Sequence, residues 1–526
     1  MTLAVITVAS HHFVVVSTYP RFRLATREFS LSLKLAAKTF RNKRGELIKS
    51  GDDKYFASAT KTRSEVRYHI NYLEDFKQLL RRHRLDEPGL VEWRTAPNYN
   101  PTKISLAIRS HFVPTEDQEK AINYIVDRSR PNNKAVIMQA GAGKTLTAMI
   151  AAAKQGELIG IFVEPRYIGQ WLKAFEENCV IAPKRICVIG DDGTKSKMGT
   201  SDKLKSLINM AFEGPVPYDA IIVSSTTFRN YIEAYKTAGS AKVLEETEGY
   251  GVPPHLFMQH LGIGLRIIDE AHENFHFVFT LDLYTQVANS VALSATLFND
   301  DDFLNKQINT AYPIHQRYIV PGFNKYVNAY SLHYSMREPR KIKSQGSMGY
   351  SHVEFEKSIL KSRNMTEAYF TMVRESMRYT YDLNRQSGDR CLVYFATIDM
   401  CTRFTEFIRR EYPYLDCQRF CEEDPLENLL TADISVSTVK SAGTGKDIAQ
   451  LTTVIMTPAI NSSPSNIQGF GRLRDLNRKV ALGRKMHFVY FCGDDFLKHL
   501  EYHERKVELL RTRALTYEPR YYGTMI

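Results

Sequence analysis

Apolar residues along the chain follow two rhythms, and the change near residue 111 divides it. Upstream, short β-like runs mix with helix-like ones: 3–9 and 13–17 predict strands, and 64–84 carries apolar residues at helical spacing before a basic cluster. A Pro- and Asn-bearing stretch, 97–101, predicts a linker. From 111 onward, short apolar runs at 135–138, 159–163, 221–223, 265–268 and 291–293 alternate with helical segments. Such runs predict parallel strands buried on both faces, and their alternation with helices predicts a doubly wound α/β sheet. A second series follows Arg317, at 392–395, 434–437, 454–457 and 488–491, with a basic, Gly- and Ser-bearing loop at 340–350 before it. The expected fold class is α/β. Two tandem doubly wound parallel-sheet domains, 111–320 and 321–526, follow a small α+β domain at 1–110, with a basic helix at 495–513.

Charge sharpens this division. The net +12 is uneven: residues 1–110 hold 20 Lys/Arg against 10 Asp/Glu, and 471–526 hold 12 against 7, leaving the middle slightly acidic. Basic ends suit a polyanion such as a phosphate backbone. No apolar stretch is long enough to span a bilayer, so no membrane partner is expected. The seven cysteines are scattered without zinc-site spacing, which predicts reduced thiols in a cytoplasmic compartment. The apolar first twenty residues lack a basic start and carry His11 and His12, so they are read as strands rather than a signal peptide.

Three motifs bring chemistry. Gln139-Ala140-Gly141-Ala142-Gly143 links the run 135–138 to a helix predicted over 145–154. Gly141, Ala142 and Gly143 leave backbone N–H groups free to face an anion at a helix N-terminus. Lys144 would reach the terminal phosphates and Thr145 would ligate Mg²⁺. One position departs from the pattern: Met138 stands where a glycine is expected. Alone, this motif fits a kinase equally well. Asp269-Glu270-Ala271-His272 directly follows the run 265–268, which puts carboxylates at the C-terminal end of a parallel strand. Asp269 would hold Mg²⁺, partly through water, and Glu270 would orient and deprotonate an attacking water. Ser294-Ala295-Thr296 follows a third run, 25 residues after Asp269.

In this order and at these intervals the three motifs resemble motifs I, II and III of superfamily 2 helicases of DEAH-box type. The resemblance extends over roughly 112–475 and implies two RecA-like domains that use ATP and Mg²⁺. It implies that Gln118 reads adenine, with Phe112 as a stacking partner. Pro165 and Arg166 (with Gln170-Trp171), Ser225, Thr226 and Thr438 would touch nucleic acid. His272, Ser294 and Thr296 would couple hydrolysis to movement. In the second domain, 393–395 resembles motif IV, and 437–448 resembles motif V, whose Gly445 and Asp447 would approach the nucleotide. Gln468-Gly469-Phe470-Gly471-Arg472 is similar to motif VI, with Gln468 and Arg472 catalytic and Arg472 an arginine finger. The template departs after that: the position of the last expected Arg is Asp475, and an Arg stands one place early at Arg474, so either Arg474 substitutes through a local shift or Arg472 acts alone.

A basic N-terminal module before a compact two-domain motor looks like the phage and viral branch-migration helicases of the UvsW type. That implies DNA partners (forks, branches and single/double-strand junctions) and work in recombination, replication or repair. It further implies a motor that is a monomer, meeting replication or recombination proteins, in the host cytoplasm if phage-encoded. An RNA helicase, a duplex translocase in transcription or restriction, and a DNA-binding relic of a motor remain alternatives.

Overall fold

The computed structural model describes residues 2–36, 38–41, 47–50, 52–63, 65–110, 112–139, 141–191, 198–299, 301–320, 325–346, 349–442, 448–473 and 483–526. The chain forms two compact units. Met1–Met138 with Gly143–Pro321 make the first, and Gly322–Ile526 with Gln139–Ala142 make the second.

The first unit is built on a seven-stranded, wholly parallel sheet. Its order is Ile186–Ile189, Ala220–Ser224, Ile159–Val163, Leu265–Ile268, Asn289–Ser294, Asn133–Ile137, Arg317–Ile319. The inner strands Ile159–Val163 and Leu265–Ile268 are buried at every position, as expected of strands covered on both faces. Each of the five predicted runs is a strand here.

In front of this sheet, an antiparallel meander of Ser58–Ala59, Glu65–His69, His12–Val16 and Ala4–Val8 adds Val91–Thr95 in parallel. Helices Pro20–Ser32 and Leu73–Arg82 close it over Phe13, Phe22, Phe29, Tyr68 and Phe76. The stretch 64–84, expected to be helical throughout, is helical only in its second half. Glu65–His69 is a strand pairing with His12–Val16, and the His69 ring accepts the Asn71 N–H at 3.3 Å to turn the chain. The helix starts where Glu74 and Asp75 can meet its positive end and stops at Arg81 and Arg82, charges placed to favour those ends. The stretch 97–101 has no regular structure, but it is docked: the Tyr99 hydroxyl donates to the Ile263 carbonyl at 2.6 Å.

Asp282 joins this small domain to the parallel sheet. Fully buried, it pairs with buried Arg266 and accepts from Asn133 Nδ2 at 2.8 Å, while its own carbonyl lies 2.9 Å from His12 Nδ1. Arg266 also donates to Ser290 Oγ and Thr285 Oγ1. Burial alone would raise the Asp282 carboxyl, but the Arg266 charge, helped by His69 and His11, holds it well below the usual carboxylate range.

The second unit repeats the architecture, in the order Cys417–Phe420, Ile434–Thr438, Arg390–Phe395, Leu451–Met456, Met486–Gly493, Val327–Tyr334, Thr516–Tyr521, again all parallel. Its four predicted strands are present. Val327–Tyr334 escaped prediction because it alternates buried and half-buried positions over most of its length, and the exposed edge strand Thr516–Tyr521 has no apolar run. The loop at 340–350 holds a short turn, Pro339–Lys341, and a two-residue hairpin. The basic C-terminal helix spans Leu497–Arg513. All seven cysteines are free, and no described helix is long and apolar enough to cross a membrane.

Asp282→Ala leaves Arg266 as an uncompensated buried charge and should destabilise the chain by about 3–5 kcal/mol in urea unfolding. A carboxyl depressed in the folded state stabilises above its unfolded value of about 3.9 and loses that contribution only as pH falls through its lower folded value. The penalty should therefore be the same at pH 5 and pH 8.

Candidate active site

The site is assembled at the C-terminal edge of the first sheet, where this fold class places ligands. Asn133–Ile137 delivers the Gly-rich loop, and helix Lys144–Gln155 starts immediately after it. Gly141 and Gly143 both take positive φ, +82° and +83°, a region costly for residues with a Cβ. Gly143 is doubly constrained, since a Cβ there would stand 2.5 Å from Nε2 of Gln118. The Gln118 carboxamide thus lies directly over the loop. It is held by a capping box in which its Oε1 accepts the Thr115 N–H at 2.9 Å and the Gln118 backbone N–H donates to Thr115 Oγ1. Met138 is 1% exposed and donates its N–H to the Ser294 carbonyl, so it extends the strand ladder and fills the core rather than forming part of the loop.

Lys144 is buried, and its Nζ lies 3.2 Å from Glu270 Oε1. Glu270 takes φ +46°, left-handed for a residue with a full side chain, and such strain persists only where the surroundings over-determine it. Asp269, also buried, accepts the Trp171 indole N–H and the Glu270 N–H, both at 2.9 Å. Burial, with the Glu270 charge beside it, pushes the Asp269 carboxyl up to about 6, while Lys144 acts in the opposite sense. Burial pushes the His272 imidazole below its usual range. Its Nδ1 lies 2.8 Å from Ser294 Oγ and 3.4 Å from Glu270 Oε2, so Ser294 reaches the acidic pair through one imidazole. Ser294 Oγ accepts the Thr296 N–H at 3.1 Å, while Thr296 Oγ1 is buried with no hydrogen-bond partner among the described residues. Thr145 sits half-buried on the first helical turn.

Three partners have roles that the sequence reading did not give them. Trp171, grouped there with a nucleic-acid-facing motif, is wholly buried against Asp269, whereas Gln170 beside it is exposed. Glu164 accepts from Ser225 Oγ at 2.7 Å and Asn274 Nδ2 at 2.9 Å. Glu273 pairs with Arg166 and accepts the Tyr167 hydroxyl at 2.6 Å. Each carboxylate adjoins a motif already recognised, and that adjacency was the only available signal. Pro165, Arg166 and Thr226 are exposed on this edge, while Ser225 is buried on Glu164.

In the second unit, Thr438 ends its strand and accepts the Ser441 N–H at 3.1 Å. Arg472 is buried and donates to the Ala442 carbonyl at 2.5 Å, a carbonyl shared with the Tyr394 hydroxyl. Gln468 is half-buried on helix Ser463–Phe470, where Gly469 packs so close to Met456 that a Cβ would fall 2.3 Å from its Cε. Ala140, Gly445, Asp447, Arg474 and Asp475 lie outside the described residues.

No protein-family model matches the chain. It is 23% identical over 264 residues to the general transcription and DNA repair factor IIH helicase/translocase subunit XPB1 of Arabidopsis thaliana, covering 49% of this chain and 30% of that protein. The XPB2 subunit of the same plant is 24% identical over 224 residues, covering 42% and 28%. The chain is thus similar to two helicase/translocase subunits. The match spans less than a third of the length of either relative. Among solved structures, this chain is similar to S. cerevisiae Dbp5 bound to RNA and ADP BeF3, with 12% identity, a TM-score of 0.48 and coverage of 77% and 90%. It is also similar to the Pyrococcus furiosus Hef helicase domain, with 13% identity, a TM-score of 0.44 and coverage of 74% and 98%.

Gly143→Ala should cost about 1–2 kcal/mol for backbone strain plus a steric part shared with Gln118. In a Gln118→Ala background the steric part disappears, so the double-mutant cycle should show about 0.5–1 kcal/mol of coupling by urea unfolding. Strict additivity would mean that Gln118 does not lie over the loop.

Proposed function

We propose that the chain is an ATP-driven DNA motor that remodels forked or branched DNA, in the manner of UvsW-type helicases. The reading is carried by one juxtaposition: a Gly-rich loop whose buried Lys144 lies 3.2 Å from Glu270, with buried Asp269 next in sequence. The loop glycines leave the space a phosphate needs, and the hydroxyl and carboxylate of Thr145 and Asp269 are a donor set for Mg²⁺. Mg²⁺, when bound, neutralises phosphate charge. Lys144 leaves Glu270 to bind the terminal phosphates, and the released Glu270 orients the attacking water and accepts its proton. The Gln118 amide, already fixed over Gly143, reads the adenine edge. Gln468 and Arg472 enter through motif VI: Arg472 would exchange the Ala442 carbonyl for transition-state charge on the phosphoryl group. His272, through Ser294, transmits the state of Glu270 to the end of the strand Asn289–Ser294.

DNA as the polyanion rests on the +10 charge of residues 1–110 and on the exposed Arg166 and Thr226. A second reading is a duplex translocase that hydrolyses ATP without separating strands, and the names of the plant relatives, helicase/translocase subunits, are compatible with either.

ATPase assays across single-stranded, duplex, forked and four-way DNA, plus RNA, test the proposal. Forked and four-way DNA should stimulate most, with strand displacement or branch migration. Stimulation by duplex without displacement would favour the translocase, a preference for RNA would replace DNA as partner, and indifference to nucleic acid would refute the motor. Glu270→Gln should lower turnover about 10²–10⁴-fold on every substrate.

A further inference from the structure

We propose that His333, Cys492 and His503 form a binding site for a divalent ion of the zinc class in the second unit. One ligand atom of each residue lies within 4.8 Å of the other two. The cluster follows from the topology. His333 and Cys492 are register partners on the neighbouring parallel strands Val327–Tyr334 and Met486–Gly493, so their side chains share one face of the sheet. His503 comes from helix Leu497–Arg513, which packs against Met486–Gly493 and the edge strand Thr516–Tyr521.

Two imidazoles and a thiolate suit zinc, whereas magnesium and calcium select oxygen donors. Both histidines are already oriented from outside, as metal-bound histidines commonly are. His333 Nδ1 is hydrogen-bonded to Asp494 Oδ1 at 2.7 Å, and His503 Nδ1 to the Tyr490 hydroxyl at 2.9 Å. That leaves Nε2 of each ring for the ion, and the Tyr521 ring at 5.1 Å braces His333. A tetrahedral ion with bonds of about 2.0–2.3 Å sets its ligand atoms roughly 3.3–3.8 Å apart, so loading needs the cluster to contract by no more than roughly 1.5 Å. The fourth position belongs to water. A cavity of about 470 Å³, lined by both histidines, Lys325, Tyr517 and Tyr521, gives it room. Cys492 is fully buried and releases its proton to solvent when it binds the ion. Buried Lys506 stands near the same cluster with its Nζ over the Tyr490 ring, 4.6 Å from the centroid.

The bound ion ties the C-terminal helix to two strands of the sheet, a clasp that serves stability rather than turnover. The test uses the full chain, stripped with a chelator and titrated with Co²⁺. One equivalent should bind and produce a thiolate-to-cobalt charge-transfer band in the near ultraviolet. Cys492→Ser should lose the band, and Asp494→Asn, which removes the charge of the outer partner of His333, should weaken binding about tenfold. Zn²⁺ should raise the melting temperature of the wild type but not of Cys492→Ser. The proposal is overturned if the folded wild-type chain takes up no stoichiometric Co²⁺ at micromolar concentration, or binds it without the band. It is equally overturned if Cys492→Ser, folded by circular dichroism, binds as the wild type does.

Discussion

A buried lysine facing a pair of carboxylates at the edge of a parallel sheet is the constraint around which the first unit is organised. Three ionisable groups, Lys144, Asp269 and Glu270, are drawn together where water is scarce, and only their mutual compensation makes this tolerable. The cost is visible in the left-handed Glu270 backbone and in an Asp269 carboxyl pushed up to about 6. Trp171, His272 and Ser294 hold the groups in place from three different elements. A chain selected only for stability would place apolar side chains here. Retention of the charges is what a site for a highly charged phosphate requires.

The legible parts were those where function needs a local pattern. A phosphate loop must follow a strand and open a helix, so its residues are consecutive, and the strands flanking the motifs are all present in the first sheet. Even the departure at Met138 has a plain reason, because the position lies in the ladder with Ser294 and not in the loop. Gln118, expected from the resemblance alone to read adenine, has its amide held close over Gly143.

What stayed hidden depends on contacts distant in sequence. Trp171 beneath Asp269, Glu164 beneath Ser225 and Glu273 beneath Arg166 are ordinary residues until the sheet aligns their strands. The helical spacing in 64–84 misled because Val66 and Tyr68 fit a strand as well as a helix, and pairing with His12–Val16 decided the matter. Asp282, unremarkable inside an apolar helix, turns out to connect Arg266, Asn133 and His12. The same holds for His333, Cys492 and His503: a search for Cys-x-x-Cys spacing could not find a cluster assembled by register and helix packing.

If Lys144 exchanges Glu270 for phosphate, the two residues must affect nucleotide binding in opposite directions, which a purely structural ion pair would not do. Equilibrium titration with a fluorescent ATP analogue and Mg²⁺ measures this directly. The account predicts that Lys144→Ala weakens binding by about tenfold or more, through loss of a charge-assisted contact. Glu270→Gln should bind as tightly as the wild type or more tightly, because the competing carboxylate is gone. Equal weakening by both substitutions, or no effect from either, would contradict it.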